Sequence, residues 1–126
     1  MIVGTGIDIC EVPRLKHAME ATHGARLRDR VFTAREIAYA QRKANLYERY
    51  AARFAAKEAG MKALGTGWRG GVSWHDFEVT DLPSGRPTLQ FHGKAKEIAE
   101  RLGVRSVALS LTHTAEQAMA MVILES

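Results

Sequence analysis

Apolar and polar positions alternate over residues 2–10, Ile-Val-Gly-Thr-Gly-Ile-Asp-Ile-Cys, as they do in a strand. Val3, Thr5, Ile7 and Ile9 point one way; Ile2, Gly4, Gly6, Asp8 and Cys10 point the other. Gly4 and Gly6 therefore clear space on the face that carries Asp8, and glycine inside a strand marks close approach of a ligand or another backbone. Pro13 suits the first turn of a helix running to about His23 and ended at Gly24. Arg26 to Arg30 reads as a short basic stretch. Thr33 with Glu36 makes a capping box for a helix through about Lys43. A longer helix, about Leu46 to Leu64, ends at Gly65 as a C-cap would end it.

Six alanines in that long helix (Ala51, Ala52, Ala55, Ala56, Ala59 and Ala63) make it slender, so its neighbours can pack close. Residues 65–71 read as a flexible loop. Phe77 to Thr80 and Pro87 to Phe91 predict strands joined by a turn at Ser84-Gly85. Gly93 to Leu102 predicts an amphipathic helix stopped by Gly103. Val104 to Thr112 and Ala118 to Leu124 predict two more strands, with a turn near Thr114 to Gln117. Strands and helices occur in separate runs, and no repeat or linker breaks the chain. These features indicate one α+β domain over residues 1–126, with a mainly antiparallel sheet.

A length of 126 residues is enough for one domain with a real core. Hydrophobic residues make up 46% and charged residues 25%, the proportions of a soluble globular protein. No apolar run approaches the roughly 20 residues of a membrane-spanning helix. The first residues make a poor signal peptide, and the lone Cys10 allows no internal disulfide, so a reducing cytoplasmic setting is expected. The net charge of +4 is unevenly spread: residues 13–53 hold ten Lys/Arg against four Asp/Glu, and the remainder holds eight against ten. A basic half on a small protein suggests an acidic partner or ligand, although a solvated helix surface would look the same.

Two carboxylates stand in apolar surroundings. Tyr50, Phe54, Glu58 and Met61 share a helical face, so Glu58 needs a partner. Asp8 needs one too. Each has a plain structural alternative: Asp8 as an acceptor for backbone amides, and Glu58 as the intrahelical partner of Lys62 at the favourable four-residue spacing. Taken together, two carboxylates with a lysine one turn on suit a divalent cation and a phosphate. The Gly65-Thr66-Gly67 run follows a helix instead of opening one, so it is neither of the usual glycine-rich phosphate fingerprints. His113 shares parity with Val107, Leu109 and Leu111, which makes a satisfied core histidine its default reading. Ser110 with His113 lacks a third catalytic member.

At these residues a family resemblance becomes specific. GTGIDIC at 4–10 resembles the G-I-D opening of the 4′-phosphopantetheinyl transferase superfamily. RFAAKEAGMKALGTG at 53–67 resembles that superfamily's F-x-x-K-E-x-x-x-K helix. SGRPTLQFHG at 84–93 and SLTHT at 110–114 are similar to later blocks of its short bacterial branch, the holo-acyl-carrier-protein synthases. The resemblance implies that fold, with a mainly antiparallel sheet on a long helix, and transfer of the 4′-phosphopantetheine arm of coenzyme A to a serine of acyl carrier protein in fatty acid biosynthesis. It implies Mg²⁺ on Asp8 and Glu58, coenzyme A contacts from Lys62, His113 and Gly65, and for Lys57 either a structural or a phosphate-reaching role. Glu58, Lys62 and His113 are the implied catalytic residues; the proton acceptor is Glu58 or a metal-bound water. Cys10 stands where larger relatives can place a third carboxylate.

Acyl carrier proteins are small and acidic, which suits the basic segment. Arg14, Lys16, Arg26, Arg28 and Arg30 are the expected dock, with Met19 and Phe32 as apolar anchors. The resemblance also implies a homotrimer with sites between subunits. Two rival readings are a basic nucleic-acid-binding module and a non-catalytic trimeric scaffold; the first lacks any recognisable nucleic-acid motif.

Overall fold

A computed structural model describes residues 1–126 apart from Lys43 and Trp68. Strand β1 (Ile2–Glu11) runs directly into helix α1 (Val12–Glu20). Helices α2 (Gly24–Val31), α3 (Ala34–Ala40) and α4 (Leu46–Leu64) follow, then a 3-10 turn at Trp74–Asp76. The chain ends with β2 (Phe77–Asp81), β3 (Pro87–Phe91), α5 (Gly93–Arg101), β4 (Ser106–His113) and β5 (Gln117–Glu125). The strands form two antiparallel sheets, β1-β5-β4 and β2-β3, so the architecture is α+β.

The local signals explain most boundaries. At α3 the Thr33 hydroxyl accepts from the Glu36 amide while the Glu36 carboxylate accepts from the Thr33 amide. That helix stops at Ala40; its predicted end, Lys43, lies outside the described residues. Helix α4 closes on Gly65 in the left-handed region, φ 77°, a conformation that costs glycine little. Two expectations need correction. The first helix ends at Glu20 rather than His23, and the basic stretch is itself a helix, α2. The cause is Gly24, where a Cβ would sit 1.7 Å from the Met19 carbonyl oxygen. The chain turns there against the end of α1, and the turn starts a new helix.

Helix α4 is covered almost all round, which is why its residues show no clean polar face. Ala51, Ala55, Ala56 and Ala59 are fully buried. One side of α4 meets β1 through glycine: a Cβ at Gly4 would lie 2.0 Å from the Ala63 carbonyl oxygen, and one at Gly6 1.9 Å from that of Ala59. Another side meets the β2-β3 hairpin, where a Cβ at Gly60 would lie 2.5 Å from the Leu89 side chain. The opposite face of the three-stranded sheet carries Ile7, Ile9, Met119 and Met121, each between 41% and 57% exposed. Register places them side by side, with Ile7 opposite Met121 and Ile9 opposite Met119.

The β1–α4 contact is backbone against backbone, so no side chain can move aside to relieve a new methyl group. Gly6→Ala should therefore cost at least about 3 kcal/mol, the upper range for overpacking. Chemical denaturation measures this, and a cost below about 1 kcal/mol would contradict so close an approach.

Candidate active site at the β1–α4 crossing

The glycine contacts set the distance at which β1 crosses α4, and Asp8 follows Gly6 by one strand repeat on the same face. Its carboxylate reaches across to α4, where the Lys62 ammonium donates to it at 2.8 Å and to the Ile7 carbonyl at 3.0 Å. Glu58 stands one turn before Lys62. It is half-buried, and its carboxyl is held above the ordinary glutamate range. Burial is the largest cause; the Asp8 charge and a hydrogen bond shared with Asp8 add to it, while Lys62 opposes. A half-buried carboxyl held up in part by a neighbouring carboxylate's charge is relieved by a proton or by a cation.

A cleft of about 520 Å³ opens beside this pair, lined by Asp8, Cys10, Arg14, Leu15, Leu27, Phe54 and Glu58, among others. Asp8 and Glu58 are the residues able to hold a metal. Among the described residues no group of three His, Cys, Asp or Glu forms a closed cage. Cys10, two residues from Asp8, is a neutral thiol: burial, then Asp8 and Glu58, push it up to about 11. Two carboxylate oxygens with open positions fit a hard cation that takes its remaining ligands from water and a substrate's phosphates.

The other expected residues fall in three places. Lys57 is fully buried; it donates to Glu36 Oε1 at 2.8 Å and to the Phe77 carbonyl. Burial lowers its pKa against the pull of Glu36, and its ammonium has no path to a phosphate, so the structural alternative is the one its geometry fits. His113 ends β4, level with Cys10 two strands away through Ala118, or about 10 Å across the sheet. It lies on the sheet face that meets α4, as its parity predicts, but is exposed at the strand end instead of buried, and its Nδ1 meets Glu48 Oε1 at 3.0 Å. Gly65 is the C-cap of α4, three residues beyond Lys62.

Arg14 lines the cleft from α1. Lys16 lies over the Tyr47 ring, 5.7 Å from its centre, and Met19 packs against the core edge. On α2, Arg26 and Arg30 are exposed, and Arg28 pairs with Asp29 at 3.0 Å. Phe32 corrects the expectation of an apolar anchor: it is 1% exposed and stacks with Tyr50 at 4.7 Å between ring centres, so no partner can reach it. Leu27, Phe54 and Glu48 take places beside the cleft or His113 that the chain order did not single out. The one available signal was the shared face of Phe54 and Glu58.

Residues 4–122 match the model of the 4′-phosphopantetheinyl transferase superfamily, and the chain belongs to that family. Within it, the likeness over the whole chain is to the holo-[acyl-carrier-protein] synthases. The protein of that name from Solibacter usitatus is 60% identical over 126 residues, all of both chains. The crystal structure of the synthase from Neisseria meningitidis superposes with a TM-score of 0.89 at 30% identity, covering 100% of both chains. A synthase from Bacillus anthracis in complex with CoA (3′,5′-ADP) gives 0.79 at 38% identity, covering 100% of this chain and 98% of that one.

The elevated Glu58 carboxyl has a sign that can be tested. A carboxyl whose pKa rises on folding makes the folded state the better proton binder. Its contribution to stability is present below the unfolded value of about 4.5 and is lost as pH rises through the window above it. Glu58→Gln should raise the melting temperature at pH 7 without divalent cations by about 2–4 °C. The gain should shrink toward pH 4. Differential scanning calorimetry across that range checks it, and a lower melting temperature for the variant at pH 7 would contradict the carboxylate conflict.

Proposed function

We propose that this chain is a holo-acyl-carrier-protein synthase whose reaction centre is the Asp8–Glu58–Lys62 cluster. The serine hydroxyl of an apo carrier protein attacks the β-phosphorus of coenzyme A. A new P–O bond to serine forms as the bond to the departing phosphate breaks, and adenosine 3′,5′-bisphosphate leaves. Little covalent chemistry falls to the protein, which contributes position and charge. Bound Mg²⁺ would neutralise the diphosphate and its leaving group. Asp8 and Glu58 would hold it, and Lys62, already at Asp8, would reach the same phosphates. Glu58, directly or through a water, takes the serine proton. His113, with Nδ1 engaged by Glu48, offers Nε2 to a coenzyme A phosphate, and Gly65 closes the helix near that ligand.

The exposed Arg14 and Lys16 on α1 and Arg26 and Arg30 on α2, with Arg28 and Met19 beside them, make a basic surface next to the cleft. Its charge suits an acidic carrier protein. The apolar face of Ile7, Ile9, Met119 and Met121 supports burial against another chain, as the homotrimer implied by the family resemblance would provide. A cytoplasmic enzyme serving fatty acid biosynthesis is consistent with a chain whose described helices are all too short or too polar to cross a membrane.

The observation that carries this reading is the placement of two carboxylates and a lysine from strand and helix at one crossing. Mass spectrometry of an apo carrier protein incubated with the chain, coenzyme A and Mg²⁺ should show the gain of one phosphopantetheine arm. Asp8→Ala and Glu58→Ala should each slow transfer at least about 100-fold, the scale of losing a preorganised electrostatic contact. Full activity in either variant would refute the assignment, and tight, sequence-preferring binding in gel shifts would favour a nucleic-acid module instead.

A further inference from the structure

We infer that Lys57 and Glu36 are a positioning pair that fixes the roll of α4 and so aims Glu58 at the shared cation. The inference rests on the metal site proposed above.

Lys57 adjoins Glu58 in sequence, yet the two side chains leave the helix about 100° apart. Lys57 points toward the β2-β3 side and is fully buried there; it donates to Glu36 Oε1 and to the Phe77 carbonyl. Glu36 is equally buried and carries three contacts: its Oε1 also accepts from the Thr33 amide at 2.9 Å, and its Oε2 from the Val79 amide at 2.9 Å. Every oxygen and the ammonium are therefore tied to elements that cannot rotate with α4. The network reaches the surface, since the Thr33 hydroxyl donates to Glu78 Oε2 at 2.6 Å and Glu78 Oε1 meets His92 at 3.0 Å.

Contacts at two angles around one helix lock its roll. The glycines of β1 hold one side and Lys57 another, with Glu58 and Lys62 in the arc between. A roll of about 10° would carry a carboxylate about 6 Å from the axis through about 1 Å. Metal ligands tolerate about 0.2 Å. The glycine contacts with β1 are van der Waals limits against backbone, which stop approach but do not hold an angle, and the directed bonds from Lys62 to Asp8 and Ile7 run through a long, exposed side chain that can follow a roll. A buried ion pair is a weak source of stability, because a well-packed apolar pair of similar volume commonly does as well. A lysine and a glutamate buried in directed contacts beside the site are better explained by angular placement.

The test uses the full chain and Mn²⁺ as the probe. The double variant Lys57→Met with Glu36→Gln keeps the side-chain volumes and leaves no lone buried charge. Calorimetric titration should show Mn²⁺ affinity weakened about 10-fold, and kcat should fall about 10- to 100-fold, as outer-shell changes do. KM for coenzyme A should stay within about 3-fold, because the affinity of the phosphates for the basic residues is little altered. Leu109→Ala in β4, away from the pair, serves as a control of similarly lowered melting temperature and should retain Mn²⁺ affinity. Lys57→Met alone, which leaves Glu36 accepting from the Thr33 and Val79 amides, should weaken Mn²⁺ about 3-fold, and it decides the matter if the double variant does not fold. Wild-type Mn²⁺ affinity and kcat in a folded double variant, or an equal loss in Leu109→Ala, would overturn the positioning role while leaving the site intact. Failure of the wild-type chain to bind Mn²⁺, or undiminished binding by Asp8→Ala, would bring down the site assignment and this inference together.

Discussion

The structure depends on a backbone-to-backbone approach between a strand and a helix. Gly4 and Gly6 let β1 settle against the carbonyls of Ala63 and Ala59, closer than any side chain would allow. The next residue on the same strand face is Asp8, which that approach delivers to Lys62 and Glu58. Small residues are required on both partners: the alanines of α4 answer the glycines of β1. Stability and chemistry meet in these few positions, since the close packing that anchors the helix also presses two carboxylates together.

That crowding has an electrostatic consequence. Glu58 is raised by burial and by Asp8, and Lys62 offsets only part of this. The folded chain thus keeps an unresolved negative site in a partly desolvated place, where a cation is worth more than in open water. On the other side of the helix the charges are resolved: Lys57 and Glu36 satisfy each other and several backbone groups. One helix carries a closed ion pair on its inner side and an open acidic pair at a cleft, and only the second can accept a ligand.

Much of this was readable in the chain. Period-two alternation over residues 2–10 put Gly4, Gly6 and Asp8 on one face, and the bounds of α4 followed from the alanine run and Gly65. The capping box at Thr33 and Glu36 was legible because cap chemistry is local. What was hidden depends on distant partners. Helix α2 has no side-chain N-cap, and its start is fixed by contact between Gly24 and Met19. Phe32 follows a basic helix and looks exposed, but Tyr50 buries it. Glu36 showed its cap role and concealed its second one, because Lys57 is 21 residues away. The bond between His113 and Glu48 spans 65 residues, and no local pattern announces it.

The most direct test of the β1–α4 centre is anomalous diffraction from crystals of the chain soaked with Mn²⁺ and coenzyme A. The expected result is a single Mn²⁺ peak about 2.0–2.3 Å from carboxylate oxygens of both Asp8 and Glu58, with diphosphate oxygens completing its shell. Coenzyme A bound with no peak between those two carboxylates, or with the ion held by other residues, would contradict it.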